Sequence, residues 1–272
     1  PFFAGSLRFL IASVLMALWE AGRRKSLAIS FHDGIILTVG SVLMYFLNTL
    51  LLLFASQRVD AGISTVMVSL IPITILLVDS LAVRRLCVSW VGIIGIIGGF
   101  MGIAIVVVGS ITGGNADPIG IALLLLADLV WSVGTVYLKY QKISATVQVQ
   151  IFYQSAIPAL LFFLCAALTG NLDLGELSWR GALPMAYMGI ADSIVGLTSY
   201  LYLLRRWKTS VVSTYAYINP VVGILLSALL LSERITMAKT AGMLVILASV
   251  FIIQREDWLR GLLLRKAKRV AD

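Results

Sequence analysis

Marked only for apolar and polar positions, the chain is a succession of long apolar runs separated by short polar or charged breaks. Nine runs stand out: Phe2 to Trp19, Gly34 to Ala55, Ala61 to Val83, Ser89 to Val108, Pro118 to Leu138, Thr146 to Leu168, Gly181 to Leu204, Ser210 to Leu231 and Met237 to Ile253. A helix needs about 20 residues to cross a hydrocarbon core about 30 Å thick, and the runs have that length. A membrane β-barrel would instead show segments of about ten residues alternating apolar and polar. These runs are apolar on every face, so the pattern predicts an all-α membrane protein, a polytopic helical bundle. The breaks leave no room for a separate soluble domain, and residues 1–272 read as one transmembrane domain.

Composition agrees: 60% of residues are hydrophobic, 12% are charged and the mean hydropathy is +1.00, outside the range of soluble chains. The first run lacks a basic stretch ahead of it and a small-residue cleavage site after it, so it does not read as a signal peptide. Cys87 and Cys165 fall on opposite membrane sides in this map, so neither a disulfide nor a metal site is expected. Tryptophans 19, 90, 179, 207 and 258 fall at predicted helix ends, where aromatic belts form. Trp131 alone lies deep inside a helix.

The net charge of +8 is distributed unevenly. Sixteen of the 21 Lys and Arg residues collect on one side, in breaks such as Arg23 to Lys25 and Arg205 to Lys208 and in the C-terminal stretch. Cytoplasmic loops keep the basic residues, so the charge reads as a topology signal that places the C-terminus inside, and not as a nucleic-acid footprint. The tail, residues 254–272, reads as a basic interfacial helix against anionic headgroups or as a solvated tail.

Two segments repeat one layout, "STVMVSLIPITILLVDSLAVRRL" (Ser64 to Leu86) and "STYAYINPVVGILLSALLLSERIT" (Ser213 to Thr236). Aligning Pro72 with Pro220 sets Ala61 against Thr209 and Thr65 against Ser213, and a glycine-rich helix follows each. The break before the first copy carries one Arg and the break before the second carries three basic residues, so the copies cross in opposite directions. Inverted-topology repeats are the architecture of secondary transporters, whose site lies near the midplane. The fifth run, Pro118 to Leu138, has no counterpart, and the pattern predicts a tenth helix ahead of Pro1 in the native protein.

Polar groups deep in the bilayer mark the candidate site, since a charge at the centre costs roughly 2.5 to 3.5 kcal/mol on the insertion scale. Asp128 and Asp192 lie near the midplane. Trp131 and Thr135 share a helical face with Asp128. Tyr45 and Asn48 on another helix, Tyr215 and Asn219 on a third, and their repeat counterparts Met67 and Ile71 complete the predicted substrate cavity. Individually each residue of these last three pairs is more often packing than ligand. Asp128 and Asp192 are the candidates for proton coupling, with a polar clasp between helices as the alternative. Asp79, near Arg84 and Arg85, reads as an interfacial ion pair. Pro72 and Pro220 are candidate hinges or static kinks. Glycines 92, 95, 98, 99 and 102 form a small-residue stripe, for internal packing or for a dimer.

Several classes are disfavoured. There is no Walker loop, and the single histidine, His32, reads as a loop residue without metal partners. No cofactor is expected. With basic residues assigned to helix ends, the expected cargo is neutral, zwitterionic or cationic. A facilitated-diffusion carrier or channel and an intramembrane enzyme using Asp128 and Asp192 remain as alternatives.

The chain resembles the drug/metabolite transporter superfamily, and within it the ten-helix EamA-type exporters. The resemblance rests on "RFLIAS" (Arg8 to Ser13), "AGISTVMVSLIPI" (Ala61 to Ile73), "LADLVWSVGTVYLKY" (Leu126 to Tyr140) and "YINPVVGILLSALLLSERIT" (Tyr217 to Thr236). It implies export of small metabolites, amino acids among them, by alternating access at the inner membrane, as a monomer or homodimer. Residues 1–108 would be the first EamA-like repeat, truncated at its N-terminus, and residues 117–253 the second. The family's Glu-Arg pair closing each proline helix is present as Glu233 and Arg234, whereas the first copy has Arg84 and Arg85.

Overall fold

The computed structural model describes residues 2–82, 90–113, 117–170, 183, 185–196, 198–199, 202–203, 215–232 and 235–252. Helical elements occupy the place of each predicted run: α1 (Phe2–Gly22), α2 (Phe31–Ala55), α3 (Ala61–Ala82), α4 (Trp90–Thr112), α5 (Pro118–Lys139), α6 (Val147–Leu168), α7 (Met188–Gly196), α8 (Tyr215–Leu231) and α9 (Met237–Ile252). There is no strand among the described residues. Among the described residues six helices, α1 to α6, are long and apolar enough to cross a membrane, so the protein is an all-α polytopic membrane protein. The chain divides into two compact units, Pro1–Leu50 with Val133–Trp207, and Leu51–Ser132 with Lys208–Asp272.

In the first unit α1 lies along α6. Ser6 donates its hydroxyl to the carbonyl of Ala159 at 3.0 Å in a buried contact, and Phe9 stacks on Phe162 with ring centroids 6.0 Å apart. Gly5 permits the approach, since a Cβ there would stand 3.3 Å from the Phe162 ring. On its other side α1 meets α7, where a Cβ on Gly189 would stand 2.8 Å from the carbonyl oxygen of Arg8. Apolar side chains alone do not hold helices together in lipid, so close backbone approach and buried hydrogen bonds carry the packing.

The second unit has the larger core. Val66, Met67, Leu70 and Ile73 of α3 are buried with Ile103 and Val106 of α4 and with Ile246 and Val250 of α9. The glycine stripe of α4 faces inward: a Cβ on Gly102 would stand 2.9 Å from the Gly242 carbonyl oxygen, and one on Gly242 would stand 2.7 Å from that of Gly102. Gly98 faces Ser249 and Gly99 faces Ile73 in the same way. Of the two readings of the stripe, this contact is internal packing.

Two ion pairs tie the helix ends of this unit. Arg58, just before α3, meets Asp117, just before α5, at 2.7 Å, and the Asp117 amide donates to the Arg58 carbonyl at 3.1 Å. The Asp117 carboxyl is held below the ordinary carboxylate range, first by the Ile119 amide and then by Arg58. Its stabilising effect is therefore complete at neutral pH and is lost as pH falls through the lowered value. Close by, Lys239 of α9 meets Asp60 at 2.9 Å with its own side chain 2% exposed and that of Asp60 32% exposed.

Three sequence readings are corrected. His32 stands in the first turn of α2 and not in a loop, because Ser30 caps the helix by accepting from the Asp33 amide and so starts it at Phe31, ahead of the expected Gly34. Arg8 does not lie at a helix end: α1 begins at Phe2 and places Arg8 nearly two turns inside. That is deeper than the helix-end position assigned to it. The apolar run ending at Trp19 also underestimates α1, which continues to Gly22 and buries Glu20. Cys165 is a free thiol; Cys87, the residues Arg84 and Arg85, Glu233 and Arg234, and the tail from 254 lie outside the described residues.

The two ion pairs differ in burial, so their removal should differ in cost. Asp60→Asn leaves Lys239 charged and buried and should cost about 1 to 3 kcal/mol, below the range for a fully buried pair because Asp60 is partly solvated. Asp117→Asn at the exposed pair should change stability little. Thermal unfolding of the two variants in one detergent at neutral pH gives the comparison, and equal shifts would contradict this assignment.

Candidate functional site

The proline of α3 interrupts it. Pro72 has no amide hydrogen to give the carbonyl of Val68, and its ring crowds that carbonyl. α3 accordingly consists of two pieces, Ala61–Val68 and Ile71–Ala82, joined by a tight turn in which the Ser69 amide donates to Val66 at 3.1 Å and the Leu70 amide to Met67 at 3.0 Å. Pro72 falls in the first turn of the second piece, where a proline is tolerated. Pro220 stands inside α8, which runs without interruption from Tyr215 to Leu231. The two prolines of the repeat thus have different local structures.

The break lies beside a buried carboxylate in the same unit. α3 and α5 start side by side, since the residues just before them, Arg58 and Asp117, are bonded. They meet again lower down, where Thr74 and Ser132 share a hydroxyl hydrogen bond of 2.6 Å. The two helices therefore run parallel. One turn back from Thr74 is Leu70, at the break; one turn back from Ser132 on the same face is Asp128. Asp128 thus stands level with the interruption of α3. Its depth fits the membrane centre: ten residues separate it from Pro118, about 15 Å of helix rise in a core about 30 Å thick.

Asp128 is 2% exposed, and its Oδ2 has no hydrogen-bond partner among the described residues. Ser132 is fully buried. A carboxylate buried without a partner is costly, and such positions in a membrane are held for a function far more often than by chance. Asp128, Ser132, Thr74 and the Ser69–Leu70 turn form the candidate site of this unit.

The other expected residues are distributed between the units. In the second unit Met67 is buried in the core, Ile71 begins the second piece of α3 and Trp131 is half-buried. In the first unit Tyr45 lies in a π-helical stretch of α2, Val42–Leu47, and meets Phe9 edge-on at 6.3 Å. Asn48, directly after that stretch, is buried, and Thr135 is half-buried. Asp192 lies on the second π-helical stretch, Met188–Gly196; its side chain, and those of Tyr215 and Asn219, are outside the described residues. π-helical stretches recur at functional sites, and here each carries a residue named from sequence. Thr74 and Ser132 were missed. The available signals were the four-residue spacing of Ser132 from Asp128 and the placement of Thr74 two residues after Pro72. No cluster of three metal-ligating side chains occurs among the described residues.

The chain is similar to known proteins in sequence and in fold. The model of a family described as the EamA-like transporter family matches residues 118–255, the stretch that carries Asp128 and Ser132. An uncharacterized inner membrane transporter of Escherichia coli K12, YedA, is 27% identical over 258 residues, covering 93% of this chain and 81% of that one. An uncharacterized transporter of Archaeoglobus fulgidus is 27% identical over 265 residues, covering 94% and 89%. A probable amino-acid metabolite efflux pump of E. coli K12 is 27% identical over 186 residues, covering 65% and 60%. A protein of known crystal structure shares the fold, with a TM-score of 0.64 at 17% identity over 93% of this chain and 86% of that one.

An unpaired functional carboxylate and a structural clasp respond oppositely to neutralisation. Asp128→Asn should leave the thermal midpoint unchanged or raise it, whereas loss of a clasp would lower stability by about 1 to 3 kcal/mol. Ser132→Ala removes a formed hydrogen bond and should cost about 1 kcal/mol. A marked loss of stability in Asp128→Asn would make Asp128 a structural residue.

Proposed function

Because the chain belongs to the EamA-like transporter family, a membrane transporter and not an enzyme, we propose that it exports small organic metabolites from the cytoplasm by alternating access coupled to protons. The observation that supports this most directly is Asp128, buried level with the break in α3 and with no partner for its Oδ2 among the described residues. A carboxylate there can be neutralised by a proton or by a cationic group of the cargo, but not readily by both. Competition of that kind is the basis of proton antiport. Asp192 is the second candidate for the proton.

Residues 1–108 and 117–253 act in this reading as two inverted repeats, with the hinge at Pro72 and a bend available at Pro220. Tyr45, Asn48, Met67, Ile71, Trp131, Thr135, Tyr215 and Asn219 contribute to the cargo path. The distribution of Lys and Arg supports a cytoplasmic C-terminus, and the relative named as an inner membrane transporter supports the inner membrane as the location. The relative named as a probable amino-acid metabolite efflux pump favours amino acids or related neutral, zwitterionic or cationic compounds as cargo. The depth of Arg8 leaves that exclusion of anions resting on fewer residues than the sequence suggested.

Proteoliposomes containing the full chain, screened with radiolabelled amino acids, purine bases and quaternary amines with and without a pH gradient, test the reading. The expected result is saturable uptake of at least one class, accelerated by the gradient. Asp128→Asn should abolish the response to the gradient while leaving some downhill exchange. Full gradient sensitivity in that variant would remove Asp128 from coupling, and uptake insensitive to any gradient would identify a facilitated-diffusion carrier.

A further inference from the structure

A cavity of about 230 Å³ opens in the first unit where α1 ends and α2 and α6 begin. Glu20, Lys25, Ser30, Asp33 and Ser144 are among the residues that line it. Glu20 is 1% exposed, and its Oε2 has no hydrogen-bond partner among the described residues. Asp33 is 2% exposed and is held in place: its carboxylate accepts from the Ser144 amide at 3.2 Å and from the Ser144 hydroxyl, and its amide donates to Ser30. The cavity therefore has two buried carboxylates, one fixed by the protein and one with an acceptor oxygen left over. Lys25 is exposed at the rim and makes no ion pair with either of them.

The lining decides which cation fits. It contains no aromatic side chain among the described residues, so it does not form the ring cage that takes a quaternary ammonium. A metal centre held by side chains calls for a cluster of three or more ligating groups, and none occurs among the described residues. A primary ammonium presents three donors and a single charge. Two carboxylates and nearby hydroxyls match that group, and the volume leaves room for a short organic body behind it. We propose that this cavity is a binding site for the primary ammonium group of a small molecule, distinct from the Asp128 cluster. It requires binding only, so it stands apart from the coupling assigned to Asp128.

Equilibrium binding to the full chain in detergent, measured by calorimetry without any transport step, tests the proposal with four probes: ethylammonium, alanine, tetramethylammonium and propionate. Ethylammonium and alanine should bind, and the other two should not. Glu20→Gln, which keeps the side chain's size and should not unfold the chain, should weaken ethylammonium binding at least tenfold. Ala28→Trp, which adds bulk to the cavity wall, should also weaken it, and Asp117→Asn at the exposed ion pair should leave it intact. No binding to the wild-type chain, or wild-type affinity in both Glu20→Gln and Ala28→Trp, overturns the proposal. Loss of ethylammonium binding in Asp128→Asn with retention in Glu20→Gln would place the probe at Asp128 and overturn it equally.

Discussion

Pro72 withholds one backbone hydrogen from the carbonyl of Val68, and much of the second unit follows from that omission. In hydrocarbon no water replaces the missing donor, so irregular backbone is tolerated only where protein or a cavity surrounds it. The Ser69–Leu70 turn meets that condition, with Met67, Leu70 and Ile73 buried in the core around it. At mid-membrane depth the amides of Ser69 and Leu70 bond the carbonyls of Val66 and Met67. Asp128 stands at their level on a neighbouring helix. Its burial, costly in isolation, becomes intelligible as one part of a polar site built around the interruption.

The same constraint explains how the units are assembled. Glycine appears where backbones come closest, at Gly102 against Gly242 and at Gly189 against Arg8. Buried hydrogen bonds, such as Ser6 to Ala159, connect helices whose apolar faces would pack as well against lipid. Charged pairs sit at the helix ends near the start of α3, α5 and α9, where water can meet part of their charge. Function is assigned to two buried carboxylates, Asp128 and Glu20, each with an oxygen that lacks a hydrogen-bond partner among the described residues.

Much of the fold could be read from the sequence because hydrophobic length is a strong signal: every apolar run contains a helical element. The ends were harder to place. Ser30 and Asp33 form a cap that starts α2 three residues early, a local hydrogen bond that hydropathy does not register. Glu20 was left outside α1 because a charge follows Trp19, yet the helix continues and buries it. Asp128 was legible as a carboxylate in an apolar run. Thr74 and Ser132 were not, because serine and threonine in such helices commonly bond their own backbone, as Thr74 also does to Ile71 at 3.1 Å. Only the packing of α3 on α5 distinguishes the pair that bridges two helices.

The account depends on Asp128 exchanging a proton for cargo, and proton release measures that exchange without a membrane. Purified protein in weakly buffered detergent, titrated with a cationic or zwitterionic cargo, should release a proton as the cargo binds, and Asp128→Asn should bind with no such release. Saturating cargo binding to the wild-type protein without any proton release across neutral pH would contradict the account.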